Sequence, residues 1–128
     1  MIALDLNTKS LKESFEGNKR VRIFECNVTN EEEIMKVAET LKKENVKLFA
    51  FFNNAGIAGS GSWRSSIELD MKENVSNLFE VNFFGVLRCV KHFYPLLSDG
   101  GRIVNTSSIA GLLPVPFGSI CNFYFTFF

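Results

Sequence analysis

Phe49-Ala50-Phe51-Phe52-Asn53-Asn54-Ala55-Gly56 is the stretch on which the fold turns. Four apolar residues run directly into two carboxamides, a small residue and a glycine. An apolar run of this length fits a strand buried on both faces, as in a parallel sheet. Open α/β sheets bind their ligands at the carboxyl ends of the strands, and the polar groups appear at that end. Two adjacent carboxamides at the end of a buried strand are costly unless both find partners. Ala55 and Gly56 leave room for a flat or bulky ligand against the backbone. A simple polar turn is the plainer reading of the same residues.

Alternating elements lie on either side of this strand. Upstream, Asn30 with Glu33 three residues later approximates a capping box. Ile34, Val37, Ala38 and Leu41 then recur at helical spacing. Before that helix, Val21, Ile23 and Phe24 form a strand running into Cys26-Asn27-Val28-Thr29. Thr8 caps a short helix with Leu11 and Phe15, ended by Gly17-Asn18, and Ile2-Ala3-Leu4 is a strand closed by Asp5. Downstream, residues 56–66 are rich in Gly and Ser and read as loop. A long helical pattern follows over about 71–97, with Val75, Leu78, Phe79, Val86, Val90 and Phe93 as its buried stripe and Phe83, Leu87 and Cys89 on its outer face. Gly100-Gly101 make a turn, and Arg102 to Asn105 form another strand ending in Thr106-Ser107-Ser108. The order strand, helix, strand, helix, strand, helix, strand, with short connections, specifies an α/β domain with a doubly wound parallel sheet.

Composition bounds the function. The chain has 128 residues, enough for one domain or part of one, and 46% of them are apolar. Its 14 basic and 14 acidic residues cancel, so no nucleic-acid partner is expected. Cys26, Cys89 and Cys121 are widely spaced and odd in number, which suits free thiols in a reducing compartment. No secretory signal is read at the amino terminus, and no apolar run reaches the roughly 18 residues of a membrane span. An intracellular, cytoplasmic protein is expected, with organelle targeting left open because the amino terminus looks incomplete. No His/Cys/carboxylate cluster has ligand spacing, so no metal is expected.

Several polar residues fall where chemistry is done. Asp5, at a strand end, is either a solvated aspartate or an acceptor for the two hydroxyls of an adenosine ribose, which would repel a 2′-phosphate. Asn27 beside the Val28 main-chain amide is either a turn pair or the edge that meets an adenine ring. Asn82 follows Leu78 by four residues and precedes Val86 by four, so it lies on the apolar face and must have a partner, structural or catalytic. Ser107 and Ser108 close the last strand, as caps or as hydroxyls that polarise a carbonyl. A serine hydrolase lacks support, because no G-x-S-x-G surrounds Ser108 and no general base is evident. His92, the only histidine, falls late in the long helix, where a surface histidine is comfortable.

Together these pieces resemble the short-chain dehydrogenase/reductase family. Asn53-Asn54-Ala55-Gly56 matches its N-N-A-G motif. Val81-Asn82-Phe83-Phe84-Gly85 looks like the helix carrying its catalytic asparagine. Gly101 to Gly111 is similar to the strand leading to its catalytic serine, here Ser108. The texture is most like the branch with retinol, 17β-hydroxysteroid and 3-hydroxybutyrate dehydrogenases. The resemblance implies a partial Rossmann-like domain over 1–120 that moves a hydride between a nicotinamide cofactor and a small-molecule secondary alcohol or ketone. It implies Asn82 and Ser108 as catalytic residues, and Asp5, Asn27, Val28, Asn54, Ala55 and Gly56 around the cofactor. Asp5 favours NAD over NADP. Asn27 stands where the family usually has aspartate, and its carboxamide is expected to accept from the adenine amino group. In this family the long helix commonly packs on a second subunit, which implies a homo-oligomer through residues 71–97.

The sequence also departs from the family. It starts at the family's second strand, so the first strand and its Gly-rich phosphate turn are absent. Ile120 and Cys121 occupy the positions where Tyr-x-x-x-Lys should begin, and no lysine follows Lys91. Residues 121–128 read as an aberrant aromatic tail, as from a misjoined or unspliced gene model, with an aggregation-prone composition. Without an acid–base group of suitable pKa, little or no turnover is expected of the 128-residue chain. A non-catalytic module, partnering a full-length relative, is the alternative.

Overall fold

The computed structural model describes residues 1–58, 75–108 and 112. The Gly/Ser-rich loop from residue 59, Ile120, Cys121 and the aromatic tail lie outside the described residues.

Four strands form, β1 (Ile2–Asp5), β2 (Arg22–Glu25), β3 (Leu48–Asn53) and β4 (Leu97–Asn105). They make two parallel pairs, β1 with β2 and β3 with β4, that are not hydrogen-bonded to each other. In register, Asp5 stands beside Glu25 and Asn53 beside Asn105, so each pair ends in polar residues at its carboxyl edge. The expected strand near 102–105 begins earlier, at Leu97. Leu48 pairs with Leu97 but Ala50 pairs with Arg102, so the intervening residues of β4 bulge. The turn expected at Gly100-Gly101 is this bulge, and Gly100 takes φ +73 in it.

Two longer helical segments cover the strands. α1 (Lys9–Ser14) is short and has no buried residue. Thr8 precedes it but does not cap it with its side chain. Thr8 is buried with near-helical φ and ψ, and Asn7 Oδ1 takes the Lys9 N–H instead. α2 (Glu31–Lys43) buries Ile34, Val37, Ala38 and Leu41, the four residues its spacing selects. Asn30 Oδ1 accepts from the N–H groups of Glu32 and Glu33. The Glu33 carboxylate reaches Asn27 N–H and Asn30 Nδ2. Its box with the Asn30 N–H does not close, because that N–H donates to the Asn27 carbonyl. At the other end Asn45 adopts φ 55, Val46 N–H donates to Leu41 O and Asn45 N–H to Lys42 O, a Schellman closure.

The downstream helix is α3 (Ser76–Phe79), a π-turn over Glu80–Phe84, α4 (Gly85–Phe93) and a 3-10 turn over Tyr94–Leu96. The π-turn is closed by Gly85 N–H donating to Glu80 O. Its buried line is Leu78, Gly85, Cys89, Phe93 and Leu96. Cys89 is thus in the core and not on the outer face, while Val86 and Val90 are only half-buried. The expected stripe advanced in steps of four. Each such step turns an α-helix by about 400°, so repeated steps drift about 40° off the face each time.

One core joins both strand pairs. Cys26, Ile34, Val37, Ala38, Leu41, Cys89, Phe93 and Leu96 form it, with Ile2, Leu4, Phe24, Val28, Leu48 and Phe51 packed against it. Phe51 meets Phe93 with ring centroids 5.4 Å apart. β3 is not buried on both faces as its composition suggests, since Phe49 is 70% and Phe52 64% exposed. Successive strand residues point to opposite faces. With Phe51 turned into the core, Phe52 and its register partner Val104 stand on the side away from it.

Candidate functional site

Both carboxamides at the end of β3 are satisfied. Asn53, buried, donates from Nδ2 to Asn105 Oδ1 at 2.8 Å and accepts on its main-chain oxygen from Thr106 N–H at 2.9 Å. Asn54 Oδ1 accepts from the Thr106 hydroxyl at 2.9 Å. Asn53 is therefore the cross-strand tie, and Asn54, Ala55 and Gly56 are exposed beyond it. Thr106 and Asn105 carry this joint, and the sequence pattern did not single them out. The available signal was their position at the end of a second strand.

Asn82, in the π-turn, finds its partner in the loop after β3. Its Oδ1 accepts from Ile57 N–H at 2.9 Å and its Nδ2 donates to Ile57 O at 2.9 Å. A Cβ on Gly56 would lie 3.4 Å from Asn82 Oδ1, so this loop sits close against the helix. Three residues further on, a Cβ on Gly85 would lie 2.9 Å from Val28 Cγ2, inside contact distance. Gly85 thus lets the helix abut the loop after β2. One turn of helix therefore touches the loops at the carboxyl ends of both strand pairs.

The β2 loop is in turn tied to β1, since Cys26 N–H donates to Asp5 O at 3.0 Å. Asp5 Oδ1 accepts from Asn7 N–H at 2.8 Å. Asn27 Oδ1 accepts from both the main-chain N–H and the hydroxyl of Thr29. Asp5, Asn27-Val28, Gly85, Asn82 and Asn54 to Ile57 form one unbroken series of contacts. Ser108 is half-buried, two residues past Thr106. His92 is not a plain surface histidine: its side chain is 17% exposed and bonds Glu31 Oε1 at 2.9 Å. Lys91 Nζ bonds the same oxygen at 2.6 Å. Lys91 first, then His92, holds the Glu31 carboxyl down at about 2. Burial pushes the Cys26 thiol up to about 11 and the Cys89 thiol up to about 12, aided by Glu33 and by Cys26 respectively, so neither is a poised nucleophile. No helix among the described residues is long and apolar enough to cross a membrane.

This is an α/β protein of parallel strand pairs, with polar groups gathered at the strands' carboxyl ends. The chain belongs to the short chain dehydrogenase family, whose family model matches residues 2–121. It is 37% identical over 101 residues to the short-chain dehydrogenase srdE of Neurospora crassa, covering 77% of this chain and 33% of that protein. It is 37% identical over 102 residues to the mitochondrial D-beta-hydroxybutyrate dehydrogenase of Rattus norvegicus, covering 76% and 29%. The chain thus spans about a third of the length of these relatives. Among solved structures, a short chain dehydrogenase/reductase from Burkholderia phymatum in complex with NAD is 27% identical with a TM-score of 0.78, covering 94% of this chain and 44% of that one. Serine dehydrogenase from Escherichia coli, 22% identical, shares the fold at a TM-score of 0.83, covering 98% and 58%.

Proposed function

We propose that residues 1–120 form part of a nicotinamide-dinucleotide site of an oxidoreductase acting on a small-molecule secondary alcohol or ketone. The observation that supports it best is the helix turn from Asn82 to Gly85, which meets the loop after β3 through Ile57 and the loop after β2 through Val28. The residues fit a dinucleotide. Asp5, whose second carboxylate oxygen has no printed partner among the described residues, takes the adenosine ribose and favours NAD over NADP. Asn27 and Val28 meet the base, and exposed Asn54, Ala55 and Gly56 line the nicotinamide half. When bound, the cofactor supplies or accepts the hydride. Ser108 steadies the substrate oxygen, and Asn82 holds the loop that carries Gly56. The exposed Phe84, Leu87 and Tyr94 offer a face for a second copy.

Turnover by the 128-residue chain is expected to be absent or very low, because Ile120 and Cys121 stand where the family's proton-transfer tyrosine should begin. Incubating the purified chain with NAD and a panel of secondary alcohols, with absorbance followed at the reduced-nicotinamide band, tests this. No reduced cofactor is expected; steady formation would falsify the inactivity.

A further inference from the structure

The turn after β2 has its carboxamide oxygen used up and its neighbouring donors open. Asn27 Oδ1 accepts from Thr29 N–H at 2.9 Å and from the Thr29 hydroxyl at 2.8 Å. A carboxamide oxygen has two lone pairs, so this one is full. The Thr29 N–H can only donate, which fixes the atom facing it as oxygen and not nitrogen. The Asn27 main chain is also committed, its N–H to Glu33 Oε2 and its carbonyl to Asn30 N–H. The other Glu33 oxygen takes Asn30 Nδ2. Among the described residues, the Asn27 Nδ2 group and the Val28 N–H have no hydrogen-bond partner. The groups left for a ligand on these two adjacent residues are therefore a side-chain donor and a main-chain donor.

We propose, on the reading that this turn receives the purine of a dinucleotide, that it prefers a 6-oxopurine to adenine. Adenine carries its amino donor between N1 and N7, so on either edge one of the two protein donors faces another donor. Hypoxanthine presents O6 and N7 side by side, two acceptors for two donors. The expected acceptance of the adenine amino group by the Asn27 carboxamide is thus replaced by donation from it. An aspartate at this position would keep both Thr29 bonds on one oxygen and offer the other to the amino group. Asn27 is in this sense the residue that sets base specificity.

Titration calorimetry of the full chain with NAD and with nicotinamide hypoxanthine dinucleotide tests the proposal, on the wild type and on Asn27→Asp. The wild type is expected to bind the hypoxanthine dinucleotide more tightly, and Asn27→Asp to reverse the order, a swing of about tenfold in the ratio of the two Kd values. The wild-type ratio decides by itself if the variant loses its fold by circular dichroism. A wild type that binds NAD more tightly overturns the base preference and leaves the dinucleotide reading intact. A wild type that binds neither overturns the dinucleotide reading, and the base preference with it.

Discussion

Asn82 commits both ends of its carboxamide to the main chain of Ile57, in the way one strand pairs with another. Its side chain is thereby a positioning element for the loop that holds Gly56. Asn82→Leu should cost about 1–2 kcal/mol in urea unfolding, since two hydrogen bonds go and the Ile57 groups are half-exposed to water. Asn82→Asp keeps the acceptor for Ile57 N–H and should cost less. A Leu variant as stable as the wild type would show that the loop is held by other contacts. At this scale the sequence told that Asn53, Asn54 and Asn82 needed partners. It could not name them, because Asn105 lies 52 residues from Asn53 and Ile57 lies 25 from Asn82. Only strand register and helix phase bring such residues together. Thr29 was equally hidden, although it decides which atom Asn27 has left to offer.

At the scale of elements, α2 was legible to the residue, because its apolar positions are few and its capping groups flank them. The segment from Ser76 to Leu96 was legible as a helix but not in phase. Its π-turn leaves no mark in hydrophobic periodicity, and Cys89, apolar only by packing, was read as outward-facing. Glu31 joins the two helices, bonding Lys91 and His92 from the first turn of α2. Its carboxyl is held at about 2, below the ordinary 4.5, so the folded state favours the ionised form. The stabilisation is therefore full above about 4.5 and is lost as pH falls toward 2. Glu31→Gln should lower the melting temperature at pH 6 and flatten its decline between pH 5 and 3, as scanning calorimetry would register. Parallel pH profiles for the two proteins would count against this clamp.

At the scale of the whole molecule, the α/β class and the alternation of elements were legible, since strand and helix periods differ and short connections leave few topologies. The division into two separate strand pairs was not, because periodicity reports elements and not their pairing. The exposure of Phe52 and Val104 was hidden for a related reason: an apolar run does not say which of its faces a helix will cover. What unites the pairs is the shared core of α2 and α4 beneath them and the helix turn from Asn82 to Gly85 at their carboxyl edge. That edge as a dinucleotide site is the central claim. An amide chemical-shift titration of the chain with NAD tests it most directly. The account predicts saturable shifts confined to Asp5 to Asn7, Asn27 to Thr29 and Asn54 to Ile57, weakened by Asp5→Ser. Shifts absent from those three segments, or unchanged by Asp5→Ser, would contradict it.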